Sequence, residues 1–155
     1  MTDGARRITI LMADDDPDDR LLTADALRES RLPGDLRFVE NGEELLDYLR
    51  RRGRWANPSD SPRPGLVLLD LNMPRMDGRE ALARIKADPA LRRIPVVVLT
   101  TSRAEADVMH SYDLGANSFI AKPVTFGGLV DAMRALGRYW METVELPPDG
   151  GEREA

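Results

Sequence analysis

Cysteine is absent from this chain. That excludes a disulfide scaffold, thiolate catalysis and cysteine-ligated zinc, and it fits a reducing compartment. Long apolar runs are missing too. Nothing approaches the ~20 consecutive apolar residues of a membrane helix, and Met1 to Arg7 lacks the apolar region of a secretion signal. We expect a soluble cytoplasmic protein with no membrane partner. Excess positive charge is also missing: the net charge of -5 argues against nucleic-acid binding, which neutralises phosphates with clustered Lys and Arg. Arg50-Arg51-Arg52 is read as a solvated helix end favoured by the helix dipole. Lysine occurs only as Lys86 and Lys122, so a Lys beside Pro123 at a strand end draws notice. The sole histidine, His110, lies mid-helix among polar residues and reads as a surface residue, not a phosphorelay or metal ligand. The length of 155 residues suits one domain, which buries roughly 70% of its extended surface without staples.

The stretch around which the chain is organised runs from Gly65 to Gly78, GLVLLDLNMPRMDG. Leu66 to Leu69 is too short for a helix and reads as a strand buried on both faces, ended by Asp70. Pro74 and Asp77-Gly78 are turn chemistry that cannot continue a sheet. An acid at the carboxyl end of a buried parallel strand stands where open α/β sheets bind ligands. Asp70 is therefore the candidate for the reacting group. The plainer alternative is that Asp70 caps the helix starting near Gly78, or solvates the strand end.

In chain order, Ile8–Ala13 reads as a first strand running into Asp14-Asp15-Asp16-Pro17-Asp18-Asp19. Pro17 at the first helical position, after an acid able to cap, starts a helix that runs to about Ser30. Leu36–Val39 is a short second strand. Asn41-Gly42 turns the chain into a helix over Glu43–Arg52, with Leu45, Leu46 and Leu49 at helical spacing. A polar, Pro-rich connection, Gly53–Pro64, is long for an α/β loop and reads as an insertion or partner surface. After the central strand come a helix over Arg79–Ala87, a strand over Ile94–Leu99, a helix over about Ala104–Leu114 closed by Gly115, and a strand over Ser118–Ala121. The last helix spans about Thr125–Trp140, with Leu129, Met133, Leu136 and Trp140 in one stripe. Beyond Glu145 the Pro- and Gly-rich tail fits no regular element.

Alternating strands and helices imply a parallel sheet covered on both faces, an α/β doubly wound fold. Four strands then end in groups suited to phosphate chemistry: Asp14 to Asp16, Asp70, Thr100 and Lys122. In a parallel sheet all of these leave the same edge, which points to one site.

With these residues in place, the chain resembles a two-component response-regulator receiver domain. The matching segments are Ile10–Asp15, Leu69–Gly78, Val98–Ser102, Gly115–Asn117 and Lys122-Pro123, in that order, and the resemblance covers about Arg7 to Gly137. It implies a flavodoxin-like sheet of order 2-1-3-4-5, with Asp14 and Asp15 beside Asp70. Residues 7–142 would form the receiver domain, 1–6 an N-terminal extension and 143–155 a C-terminal one, partly disordered. Crowded carboxylates call for a cation, and Mg2+ suits an all-oxygen site. The resemblance adds the backbone carbonyl of Asn72 as a further ligand. It makes Asp70 the phosphoacceptor from a sensor histidine kinase, with Lys122 and Thr100 neutralising and hydrogen-bonding the phosphoryl oxygens. Asp16, Asp18 and Asp19 remain helix-terminus charges, one at most assisting a metal through water.

The same resemblance implies a switch in which Thr100 moves toward the phosphate and the ring of Phe119 turns inward. It also implies a cis Lys122-Pro123 bond. The Gly53–Pro64 connection, Leu99–Ser102, Ala116-Asn117 and the ending Tyr139–Pro147 together resemble the stand-alone regulators of phytochrome-type kinases, which form homodimers through the last helix region. Tyr139 and Trp140 are the residues expected to protrude there, while a helix packed on its own sheet explains Leu129, Met133 and Leu136 equally well. Such a protein is not an enzyme with a separate substrate but promotes its own phosphorylation and dephosphorylation. Two rival functions share part of this pattern. A haloacid-dehalogenase-type phosphatase would use Asp14-x-Asp16, but no acidic pair follows Lys122. A phosphate-independent interaction module would have no need of the intact site residues.

Overall fold

Strand residues here are branched and apolar, and successive side chains of a strand face opposite sides of the sheet. Leu11, Ala13, Val67, Leu69, Val96 and Val98 accordingly join one buried cluster. Ile10, Met12, Leu66, Leu68 and Val97 join another on the opposite face. Helices must cover both faces, and the computed structural model shows that they do. It describes residues 8–31, 34–70, 73–100, 118–121 and 125–138, with backbone only for 99, 100 and 118–121.

The strands are β1 (Ile8–Ala13), β2 (Gly34–Val39), β3 (Leu66–Leu69), β4 (Val96–Thr100) and β5 (Ser118–Ala121). They form one sheet of order β2-β1-β3-β4-β5, and every pairing is parallel. This is the flavodoxin-like order implied above. The order reverses between β1 and β3, which opens a crevice beyond their carboxyl ends. Helices α1 (Pro17–Ser30), α2 (Gly42–Arg50), α3 (Gly78–Ala87) and α4 (Phe126–Arg138) complete the described elements. Leu45, Leu46 and Leu49 of α2 and Ala81, Leu82 and Ile85 of α3 bury in the first cluster. Ala26 and Leu27 of α1 and Leu129, Val130, Met133 and Leu136 of α4 bury in the second.

Boundaries differ from the sequence reading in five places. β4 spans Val96–Thr100, not Ile94–Leu99, because Pro95 has no N–H for the ladder. Helix α3 starts at Gly78, not Arg79, directly after its cap Asp77. β2 begins at Gly34, not Leu36, because pairing with β1 extends to Ile8↔Gly34. Helix α2 covers Gly42–Arg50, not Glu43–Arg52, since Arg51 turns left-handed (φ 55°) and its N–H closes on the carbonyls of Asp47 and Tyr48. Helix α4 begins at Phe126 instead of Thr125, whose hydroxyl accepts from the Gly128 N–H. The expected helix over Ala104–Leu114, the Lys122-Pro123 bond and the tail beyond Arg138 lie outside the described residues.

The Gly53–Pro64 connection folds back on α2. It contains two 3-10 turns, Gly53–Trp55 and Pro58–Asp60. Trp55 is buried against Tyr48, their ring centroids 6.1 Å apart. The Tyr48 hydroxyl donates to the Pro62 carbonyl (2.8 Å), and the Arg51 guanidinium donates to the Ser61 carbonyl (3.1 and 3.2 Å). These bonds satisfy loop carbonyls that would otherwise depend on water.

Candidate functional site

β1 and β3 are neighbours in the register Ala13↔Leu69. The next residue of each strand is therefore an acid at the crevice. The Asp70 N–H donates to the Ala13 carbonyl (3.0 Å), which fixes the end of β3 against β1. Asp14 is fully buried and Asp70 is 9% exposed, and buried acids are uncommon unless paired or ligating. Asp15 is exposed. One carboxylate oxygen from each of Asp14, Asp15 and Asp70 lies within 4.8 Å of the other two.

The β1–α1 loop is tied down by its own acids. Asp14 Oδ1 accepts from the Asp16 N–H (2.9 Å), and Asp16 Oδ1 accepts from the Asp18 N–H (2.9 Å) as the N-cap of α1. Pro17 at the first helical position has no N–H to leave unpaired. Asp16 thus serves the helix, and Asp18 and Asp19 lie in its first turn, where the helix dipole favours acids. The Arg20 guanidinium reaches back to donate to the Asp14 carbonyl (2.8 Å) and lies 3.8 Å from Glu40. Arg20 escaped the sequence reading. The only signal for it was its place one helical turn beyond the capping acid.

Asp77 caps α3, its carboxylate accepting from the Glu80 N–H (3.0 Å). Asp70 is therefore not the cap of that helix, and its burial argues against the other plain reading, an acid that merely solvates the strand end. Between them the β3–α3 loop buries Met73 at 7% exposure. It then passes through Arg75 in the left-handed region (φ 68°). That conformation is uncommon for a side-chain-bearing residue. The guanidinium of Arg75 pairs with Glu43 at 2.9 Å.

Of the other residues singled out from sequence, Thr100 ends β4 and pairs in register with Ala121, while Phe119 pairs with Val98. Both therefore belong to strands on the β3 side of the crevice, Thr100 at its rim. Asn72, Lys122, His110, Tyr139 and Trp140 lie outside the described residues.

Three carboxylates this close repel one another. At 4.8 Å and an effective dielectric near 20, two full charges cost about 3.5 kcal/mol. The donors are all hard oxygens, the chemistry that Mg2+ and similar divalent ions select. The cluster fits such an ion.

Comparison with known proteins agrees with this fold. The family model described as the response regulator receiver domain matches residues 10–134. Response regulator Rcp1 of Synechocystis is 42% identical over 138 residues, which is 89% of this chain and 92% of that protein. The crystal structure of the phosphorylated cyanobacterial phytochrome response regulator RcpA superposes with a TM-score of 0.84 at 43% identity, covering 92% of this chain and all of the other. The Mn2+-bound form of Rcp1 superposes with a TM-score of 0.80 at 40% identity, covering 91% and 99% of the two chains.

Proposed function

The chain belongs to the response regulator receiver-domain family, and from that premise we propose that Asp70 accepts a phosphoryl group from a phosphohistidine of a sensor histidine kinase. The observation that carries this reading is the clustering of Asp14, Asp15 and Asp70 at the β1/β3 crevice. A carboxylate oxygen of Asp70 attacks phosphorus as the P–N bond to the imidazole breaks, giving an acyl phosphate on Asp70 and a free histidine on the kinase. Asp14, Asp15 and Asp70 would hold Mg2+, with the Asn72 carbonyl. That ion supplies neutralisation of the charge on the transferring group. Lys122 contributes a second positive charge and Thr100 a hydroxyl donor, each assigned by its place at a strand end. The manganese-bound structure of the relative Rcp1 supports a divalent ion here, and the phosphorylated structure of RcpA supports the acceptor role.

Phosphorylation then biases a surface by drawing Thr100 toward the phosphate and the Phe119 ring into the space it leaves. A shift of this kind needs only a few kcal/mol of differential contact. The kinase is of the phytochrome type, a reading supported by the phytochrome response regulator among the relatives. The receiver domain spans residues 7–142 in the cytoplasm, between extensions over 1–6 and 143–155, and two copies associate through the last helix region with Tyr139 and Trp140 at the contact. The protein promotes its own phosphorylation and dephosphorylation and has no other substrate. No helix among the described residues is long and apolar enough to cross a membrane.

Incubation with a small-molecule phosphodonor and Mg2+ tests the chemistry. One acid-labile phosphoryl group per chain is expected by intact mass, absent from Asp70→Asn. Multiple turnover of unrelated phosphoesters would instead point to a phosphatase.

A further inference from the structure

One short segment with no chemistry of its own touches both loops that carry the acids. It is the turn from Val39 to Glu43, joining β2 to α2. On one side the Val39 carbonyl accepts from the Asp14 N–H (3.1 Å), and the Glu40 carboxylate lies 3.8 Å from the Arg20 guanidinium that donates to the Asp14 carbonyl. On the other side the Gly42 N–H donates to the Met76 carbonyl (2.9 Å), and Glu43 pairs with Arg75. The turn is itself locked. Asn41 caps α2 by accepting from the Glu44 N–H (2.9 Å), and the Glu44 carboxylate accepts in return from the Glu40 N–H (2.8 Å).

Contact with the β3–α3 loop depends on the absence of a side chain at Gly42. A Cβ there would lie 2.4 Å from the Met76 carbonyl oxygen and 2.8 and 2.9 Å from Met76 Cβ and Cγ. Backbone cannot be displaced as cheaply as the tip of a flexible side chain, so either the loop or the start of α2 must move. Met76 is packed against the buried cluster that includes Leu45, Leu82 and Met73, and close packing transmits such a shift.

Resting on the reading of the acidic cluster as a divalent-ion site, we propose that the Val39–Glu43 turn is a spacer. It sets how far the β3–α3 loop stands from the Asp14 loop, and Gly42 and Arg75 are positioning residues for the ion. Groups that orient metal ligands without touching the metal typically alter affinity about 10- to 100-fold when changed.

The test is titration of the full chain with Mn2+, followed by electron paramagnetic resonance of the free ion and paired with a melting curve. Gly42→Ala should bind Mn2+ at least about tenfold more weakly. Leu49→Ala, at the far end of the same helix, should lower the melting temperature and leave the affinity unchanged. Arg75→Ala separates position from charge. Removing a cation near the acids would by charge alone tighten Mn2+ binding, whereas loss of the tether should weaken it about threefold, the scale of an exposed ion pair. Should Gly42→Ala not fold, Arg75→Ala carries the decision by its sign. Wild-type affinity in Gly42→Ala, equal weakening in Gly42→Ala and Leu49→Ala, or unchanged or tighter binding in Arg75→Ala each overturns the spacer. Wild-type protein that binds no Mn2+ overturns the proposed ion site itself, an outcome distinct from all of these.

Discussion

At the residue scale, the chemistry of Asp70 is set by its two acidic neighbours. The fold holds Asp14 fully buried and Asp70 nearly so, so their mutual repulsion with Asp15 is screened less than that of surface charges. The metal-free protein therefore stores an electrostatic cost. Asp70→Asn keeps the shape and removes one charge, and we expect it to raise the metal-free stability by about 1–2 kcal/mol, below the pairwise Coulomb figure because Asp15 is exposed. Thermal melting in a chelator reads this as a rise of a few degrees, and a lower melting temperature would contradict the crowded-carboxylate picture. Asp77 makes the contrast. It is an acid a few residues further on whose work is structural, and Asp77→Ala should cost about 1 kcal/mol through the lost α3 cap, measured as a lower urea midpoint with phosphoryl uptake retained. Asp70 was legible in the sequence because it follows a buried run, whereas Asp77 read only as turn chemistry and the fold revealed it as the cap of α3.

At the scale of elements, α3 shows how a polar side chain serves a helix end. Lys86 in its last turn donates to the carbonyls of Arg92 and Ile94 (3.0 and 3.2 Å), pinning the chain that leads into β4. Burial of the ammonium lowers its pKa from the ordinary 10.5. Between the lowered value and 10.5 the unfolded chain holds more protons than the folded one, so this group makes stability rise with pH through that window. Urea midpoints measured across the alkaline range should rise relative to Lys86→Gln, and parallel profiles would show that the side chain is not desolvated. The Gly53–Pro64 connection carries a different lesson. Its Pro and polar content reads as a loop, and only the fold reveals that Tyr48, Trp55, Arg51 and Ser61 bind it onto α2. Those contacts join residues that are separated along the chain and share no local periodicity. The α4 stripe was open to two readings from sequence. The fold shows that Leu129, Met133 and Leu136 are buried in the core facing α1 and the sheet, which leaves Tyr139 and Trp140 to carry the proposed dimer contact. If that contact forms, light scattering should show a dimer in the wild type and a monomer in Trp140→Glu, and a wild type that stays monomeric would refute it.

At the scale of the whole molecule, an ion bound only by the folded state must stabilise it. Mg2+ at 100 times its dissociation constant should add about 2.7 kcal/mol, reversed by chelation, and the gain should shrink in Asp14→Asn because a ligand is lost. A melting temperature indifferent to Mg2+ would leave the acidic cluster without its proposed role. The sequence by itself determined the alternation of strands and helices, the polar residues ending four of the strands and the cap at Asp16. Each of these is written in side-chain period or in a few adjacent residues, and so is readable without knowing what lies opposite. Tertiary structure alone decided which loops lean on one another. Arg20 beside Glu40, Gly42 against Met76 and Glu43 on Arg75 join segments that meet only once β1 is flanked by β2 and β3. Such contacts follow from the closing of the sheet and the steric room at a single Cα, and neither leaves a repeating pattern in the chain.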